Sequence, residues 1–225
     1  MKRFIPNILT IGNLLCGCIG IVYLLENKPM PAAYFVWVAC VFDFLDGFTA
    51  RLLKTHSAIG KELDSLADVV SFGVLPSLVI YKLWPADVPG WIALSSLSIV
   101  AFSALRLAIF NIDETQTDSF RGLPTPANAI LLTSLPLLPE PTLALLQQPI
   151  QLMVITILSS WLLISPIGLF AIKFKSFSWK GNEIRFTFLL AAVLLLSLFK
   201  LVAVPLVILL YIAFSLLAKL ILKQN

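Results

Sequence analysis

Four aspartates, Asp43, Asp46, Asp64 and Asp68, stand within or directly beside runs so apolar that they read as membrane helices: AAYFVWVACVFDFLDGFTARLL and SLADVVSFGVLPSLVIY. They are a third of the chain's 12 acidic residues. An acidic residue at the centre of a membrane helix costs roughly 2.5 to 3.5 kcal/mol on insertion scales, so four unassisted ones would cost about 10 kcal/mol. A chain that keeps all four must offset them, and bound divalent metal is the most direct means. Four carboxylates balance two 2+ ions.

The spacing is Asp43-x2-Asp46-Gly47-x2-Ala50-Arg51-x8-Gly60-x3-Asp64-x3-Asp68. At about 100° per residue, Asp43, Asp46, Gly47, Ala50 and Arg51 share an arc of roughly 140° on one helix. Gly60, Asp64 and Asp68 form a single stripe on the next. The short turn at Lys54–Ile59 makes the two helices antiparallel neighbours. With a rise of about 1.5 Å per residue, Asp46 lies about 12 Å below Lys54 and Asp68 about 13 Å below Ile59. The two stripes therefore meet at one depth. Oxygen-only ligands suit Mg²⁺ or Mn²⁺ rather than zinc.

The rest of the chain agrees with a membrane setting. It is 59% hydrophobic and 12% charged, whereas soluble domains average about 25% charged. The fold class is therefore all-α and polytopic, with about eight transmembrane helices expected at 8–25, 32–53, 59–83, 90–110, 126–139, 149–172, 185–199 and 202–221. Lys2, Arg3, Lys54, Lys61, Arg121, Lys173, Lys175, Lys180, Arg185, Lys219 and Lys223 fall on one side of this topology, and the opposite connections ENKPMP, WPADVPG and PEPTLALLQQP hold only Lys28. The positive-inside rule then places both termini and the mouth of the aspartate hairpin in the cytoplasm. The net charge of +4 follows from topology and favours anionic membrane lipids over nucleic acid. The first apolar stretch is followed by no small-residue cleavage site and reads as a retained helix. Cys16, Cys18 and Cys40 lie within apolar spans and imply no disulfide. Absence of repeats makes 1–225 one domain.

Other polar residues admit two readings each. Asn7 and Thr10 either cap the first helix or contact a nucleotide. Arg106 either snorkels or binds an anionic group. His56, the only histidine, sits in the hairpin turn, where a solvated side chain is the simpler reading. Gly47, Ala50 and Gly60 serve close helix packing or leave room for a ligand. Arg51 and Lys61 could neutralise two carboxylates but not four, so a proton relay in a transporter and a purely structural scaffold explain less than a metal site does.

The aspartate pattern resembles the signature of CDP-alcohol phosphotransferases, with every fixed position matched. That resemblance implies a six-helix catalytic core, about 1–172 here, with an extra C-terminal helix pair at about 185–221. It implies transfer of a phosphatidyl-type group from a CDP-linked lipid to an alcohol with release of CMP. Asp43, Asp46, Asp64 and Asp68 would be metal ligands, Asp68 also the base, while Gly47, Ala50, Arg51 and Gly60 would line the CDP site, to which Asp43 and, on their nucleotide-contact reading, Asn7 and Thr10 are added. The segments IPNILTIGNLLCG, GKELDSLADVVSFGVLPS, LRLAIFNID, FRGLPTPANA and IKFKSFSWKGNEIR are similar to bacterial type II CDP-diacylglycerol–serine O-phosphatidyltransferases. CDP-diacylglycerol and L-serine are then the expected substrates, the bacterial inner membrane the expected site and a homodimer the expected assembly. Ile109 departs from the basic residue common in that group, leaving Arg106 and Arg121 to hold serine. Glycerol 3-phosphate or an inositol phosphate is the alternative acceptor, although few basic residues are available for either.

Overall fold

The first three helices set the frame. In the computed structural model, which describes residues 4–55, 57–113, 119–170, 179 and 182–222, α1 (Phe4–Leu25), α2 (Pro29–Leu53) and α3 (Ala58–Leu83) pack side by side. Glycines on α1 permit the approach. A Cβ at Gly12 would lie 2.9 Å from the Phe42 ring, one at Gly20 would lie 2.5 Å from Leu75, and one at Gly17 would collide with Ser71. Lipid gives helices no hydrophobic drive toward one another, so small residues and interhelical hydrogen bonds do this work.

The turn between α2 and α3 is locally encoded. Lys54 adopts the left-handed conformation (φ 52°), Lys54 N–H donates to Arg51 O and Thr55 N–H to Ala50 O, which is the Schellman pattern. Three residues on, the Ser57 hydroxyl accepts from Gly60 N–H at 3.0 Å and starts α3, a standard serine N-cap. Thus α2 and α3 are antiparallel. Immediately after Asp68, α3 widens into a π-helical segment, Val69–Val74, before resuming as Leu75–Leu83.

Helix α4 (Gly90–Ile112) contains a 3-10 turn at Leu94–Leu97. There Ser96 O accepts from Ser77, and Ser96 Oγ accepts from the Trp84 indole. Strand β1 (Ser119–Arg121) pairs antiparallel with β2 (Gly168–Phe170), so that Arg121 lies opposite Gly168. Between the strands come α5 (Thr125–Thr133), α6 (Glu140–Leu146) and α7 (Pro149–Ile164), the last two meeting at 76°. The chain can leave β1 and turn into α5 because Gly122 has φ +75°; a Cβ there would collide with the Leu163 carbonyl. Helices α8 (Glu183–Phe199) and α9 (Ala203–Leu222) complete the bundle.

Among the described residues, five helices or continuous helical runs are long and apolar enough to cross a membrane, or six if α6 and α7 form one broken span. The last run, Glu183–Ala218, is long enough to look like one helix, yet the Phe188 ring lies 5.8 Å from that of Tyr211 and 6.1 Å from that of Phe214. A straight helix would separate Phe188 and Tyr211 by about 34 Å. The run therefore folds back on itself near Lys200 (φ 51°). Two expected spans differ in length. The one expected at 126–139 is helical only through Thr133, because the prolines that follow supply no backbone donor. The one expected at 149–172 ends at Ile164, two residues before Pro166. The protein is an all-α, polytopic membrane protein, with two three-residue strands among the described residues.

Burial is consistent with that setting. Leu15, Phe44, Phe48 and Val193 are exposed, whereas Ser71, Ser77, Ser96, Ser103 and Asn128 are fully buried. Lipid covers the former, and the helices enclose the latter. Cys16, Cys18 and Cys40 are free thiols. The side of the membrane expected to hold only Lys28 also carries Lys82, whose ammonium donates to Asn27, and Lys200 at the α8–α9 fold-back.

Candidate active site

The α2–α3 hairpin brings Asp43, Asp64 and Asp68 together, with one carboxylate oxygen from each lying within 4.8 Å of the others. Asp46 stands one turn nearer the hairpin mouth and accepts a 2.7 Å hydrogen bond from the Thr10 hydroxyl. Asp68, 7% exposed, accepts from Asn13 Nδ2 at 2.9 Å. The Asn13 backbone carbonyl in turn accepts from the Ser71 hydroxyl, so the π segment after Asp68 is pinned to α1. Among the described residues, no lysine or arginine comes within 4.0 Å of any of the four carboxylates. Asp64 Oδ1 is buried without a hydrogen-bond partner. A tight set of oxygen donors, one of them orphaned and none neutralised by a basic side chain, fits hard divalent cations such as Mg²⁺ or Mn²⁺.

A cleft of about 540 Å³ opens above this cluster and is lined by Asn7, Thr10, Asp46, Gly47, Ala50, Arg51, Gly60, Lys61 and Asp64, among others. A Cβ at Gly47 would touch nothing within 4 Å, so the absence of a side chain there leaves cleft volume open. Gly60 is different: a Cβ would lie 2.9 Å from Ser57 Oγ and 3.2 Å from Asn7 Oδ1, crowding the wall opposite α2. Thr10 is not a helix cap. Its hydroxyl is directed at Asp46 and at Pro6 O, from the second turn of α1. Lys61 Nζ is turned away from the aspartates and donates to Asn111 O at 2.6 Å.

Arg106 does not snorkel. It is 8% exposed, its Nη1 reaches Thr125 Oγ1 at 3.4 Å, its Nε has no partner, and it lies within electrostatic reach of Asp68. A second cavity of about 220 Å³ is lined by Arg106, Arg121, Ile109, Asp113 and Ser165, among others. The structure therefore brings Arg106 and Arg121 into one cavity, separate from the cleft above the aspartates. His56 lies outside the described residues. Asn13, which sequence reasoning passed over, touches Asp68 directly. The sequence signal was an asparagine in the middle of an apolar helix, on the same face as Thr10.

Over residues 3–173 the chain matches the family profile described as CDP-alcohol phosphatidyltransferase. The chain belongs to this family. Among its relatives, the Bacillus subtilis protein named CDP-diacylglycerol–serine O-phosphatidyltransferase is 35% identical over 181 residues, which is 80% of this chain and 95% of that protein. Proteins of the same name from Helicobacter pylori (strain J99) and Mycobacterium leprae are 42% identical over 130 residues and 36% identical over 141. These matches take in 56% and 59% of this chain but only 54% and 46% of the relatives, so the chain spans about half the length of those two proteins. The family match stops short of the α8–α9 hairpin.

Proposed function

We propose that this protein transfers the phosphatidyl group of CDP-diacylglycerol to the hydroxyl of L-serine, giving phosphatidylserine and CMP, and does so at the cytoplasmic face of the bacterial inner membrane. The observation that carries the reading is the Asp43–Asp64–Asp68 cluster at the floor of a cleft open to one end of α2 and α3. The name shared by the relatives supports serine as the acceptor.

The four aspartates would hold two divalent ions, Mg²⁺ or Mn²⁺. When bound, the ions withdraw charge from the diphosphate and from the departing phosphate of CMP. The chain's own residues supply the rest. Gly47 leaves space in the cleft and Gly60 lets α3 approach Asn7 closely, and there the Asn7 and Thr10 face of α1, Ala50 and the Arg51 guanidinium enclose the CDP moiety. Asn13 fixes one oxygen of Asp68, leaving the other to accept the serine hydroxyl proton. The serine oxygen bonds to the β-phosphorus as the bond from that phosphorus to the bridging oxygen breaks. The electron pair leaves with CMP. Arg106 and Arg121 hold the serine carboxylate, a task suited to the planar guanidinium.

The experiment is an acceptor screen with purified protein, CDP-diacylglycerol and either L-serine, glycerol 3-phosphate or inositol phosphate, following CMP release and the lipid product. Phosphatidylserine as the dominant product is expected. Preference for glycerol 3-phosphate would move the protein to a different acceptor with the phosphatidyl transfer intact, and no CMP release with any acceptor would overturn the reaction itself.

A further inference from the structure

We infer that Asp113 reads the ammonium group of a small zwitterionic acceptor in the cavity that Arg106 and Arg121 share, an assignment that rests on the serine reading above. The cavity holds about 220 Å³. At roughly 30 Å³ per water in the liquid, it has room for about seven waters, enough for a molecule of serine's size and too little for a nucleotide. Its lining carries both signs of charge, two guanidinium groups and one carboxylate. Holding the acceptor carboxylate accounts for the guanidinium groups but not for Asp113.

Three pieces of the fold assemble this lining. Arg106, Ile109, Phe110 and Asp113 recur at i, i+3, i+4 and i+7 and form one face at the end of α4. The far wall is the stretch 163–166, where α7 ends and the chain leads to β2. Arg121 ends β1, and the two residues after it are tied to that wall: Gly122 N–H donates to Ile167 O at 2.9 Å, and Leu123 N–H to Leu162 O at 2.8 Å. Arg106 is buried and lies within electrostatic reach of Asp68, whereas Asp113 is half-buried and Arg121 exposed. The cavity thus runs inward from a solvent edge, where Asp113 and Arg121 stand, toward the base.

Helix stability does not explain an aspartate here. Asp113 caps the C-terminus of α4, where the helix dipole presents partial negative charge and disfavours an acidic side chain. Its backbone N–H closes the helix on Ile109 O at 3.0 Å, a bond that any residue except proline supplies. A bound serine makes use of the carboxylate: the acceptor's own carboxylate takes a guanidinium group, and its ammonium takes Asp113. Glycerol 3-phosphate would meet Asp113 as a repulsive neighbour, the means by which a site rejects a wrong ligand. A monoanionic alcohol with no ammonium would leave the Asp113 charge unpaired as the cavity loses water.

The test follows phosphatidylserine formation by the full chain in mixed micelles with CDP-diacylglycerol, using 3-hydroxypropanoate, which is serine without its ammonium, as a competitor. In wild type the inhibition constant of 3-hydroxypropanoate should stand at least tenfold above KM for serine. Asp113→Asn keeps the size of the side chain and removes its charge. It should raise KM for serine at least tenfold while the inhibition constant and KM for CDP-diacylglycerol each stay within twofold. An unchanged KM for serine overturns the assignment. So does a parallel rise for serine and 3-hydroxypropanoate, which would show that Asp113 only holds Arg121 in place. Thermal unfolding reports folding; should Asp113→Asn fail to fold, the wild-type comparison decides, and an inhibition constant within twofold of the serine KM overturns the assignment. A wild-type protein that releases CMP with another acceptor but makes no phosphatidylserine overturns the serine reading itself, and the Asp113 assignment with it.

Discussion

Replacing Asn13 by alanine should slow the chemical step without weakening the hold on CDP-diacylglycerol. The amide of Asn13 donates to Asp68 Oδ1 at 2.9 Å from a fully buried position, and it is the only side-chain hydrogen bond recorded to that carboxylate among the described residues. A hydrogen bond to a charged group is worth about 1.5 to 3 kcal/mol. If its orienting effect on the base is expressed in the transition state, kcat falls roughly 10- to 150-fold, at 1.36 kcal/mol per factor of ten. Asn13 does not line the cleft that would hold CDP, so KM for the lipid should stay within about twofold. Asn13→Asp sharpens the test by keeping the shape while adding a fifth carboxylate where no basic side chain lies within 4.0 Å of the existing four; its loss should exceed that of the alanine variant. The assay is CMP release at saturating serine and CDP-diacylglycerol, with thermal unfolding run alongside to report folding. A folded Asn13→Ala protein that retains more than a third of wild-type kcat would refute the positioning role.

Asp43→Asn, Asp46→Asn, Asp64→Asn and Asp68→Asn should each lose more than nine-tenths of turnover, a barrier increase above about 1.4 kcal/mol; greater residual activity in any of the first three would remove that residue from the ligand set. EDTA should abolish CMP release and Mg²⁺ or Mn²⁺ restore it, whereas chelator-resistant turnover would end the metal reading. Gly47→Ala should raise KM for CDP-diacylglycerol without loss of stability, because the added methyl meets no protein atom within 4 Å and helix propensity favours alanine by up to about 1 kcal/mol. Unchanged KM would mean that nothing binds against Gly47. A cysteine introduced at Ser57, in the hairpin turn, should react with impermeant thiol reagents only in opened cells, and labelling of intact cells would reverse the proposed orientation.

What could be read from the sequence follows from what a helix makes periodic. The aspartates recur at helical spacing within apolar surroundings, so their shared face and their meeting across a short turn could be worked out from angles and rise alone. Even there the finer grouping was hidden: helix geometry aligned Asp46 with Asp68, whereas the tightest set takes Asp43, because the side chain of Asp46 is drawn toward Thr10 on a third helix. Local signals also carried the α2–α3 turn, where Lys54 and Ser57 close and open their helices through backbone bonds only a few residues long. Proline was less legible. The apolar run 126–139 looks long enough to be a span, but Pro136 and Pro139 remove the donors that would have continued α5. The burial of Arg106 was hidden for another reason. Its position near a helix end permits snorkelling outward or turning inward, and only α5, arriving from nineteen residues further along the chain, supplies the Thr125 hydroxyl that it meets. Asn13 belongs with Arg106. Each is a polar residue in an apolar helix whose partner lies on another helix, Asp68 being fifty-five residues away, and no periodicity within α1 or α4 could have named that partner. An isolated polar residue facing the interior of a membrane bundle therefore tells the reader that a partner exists, and the fold must say which.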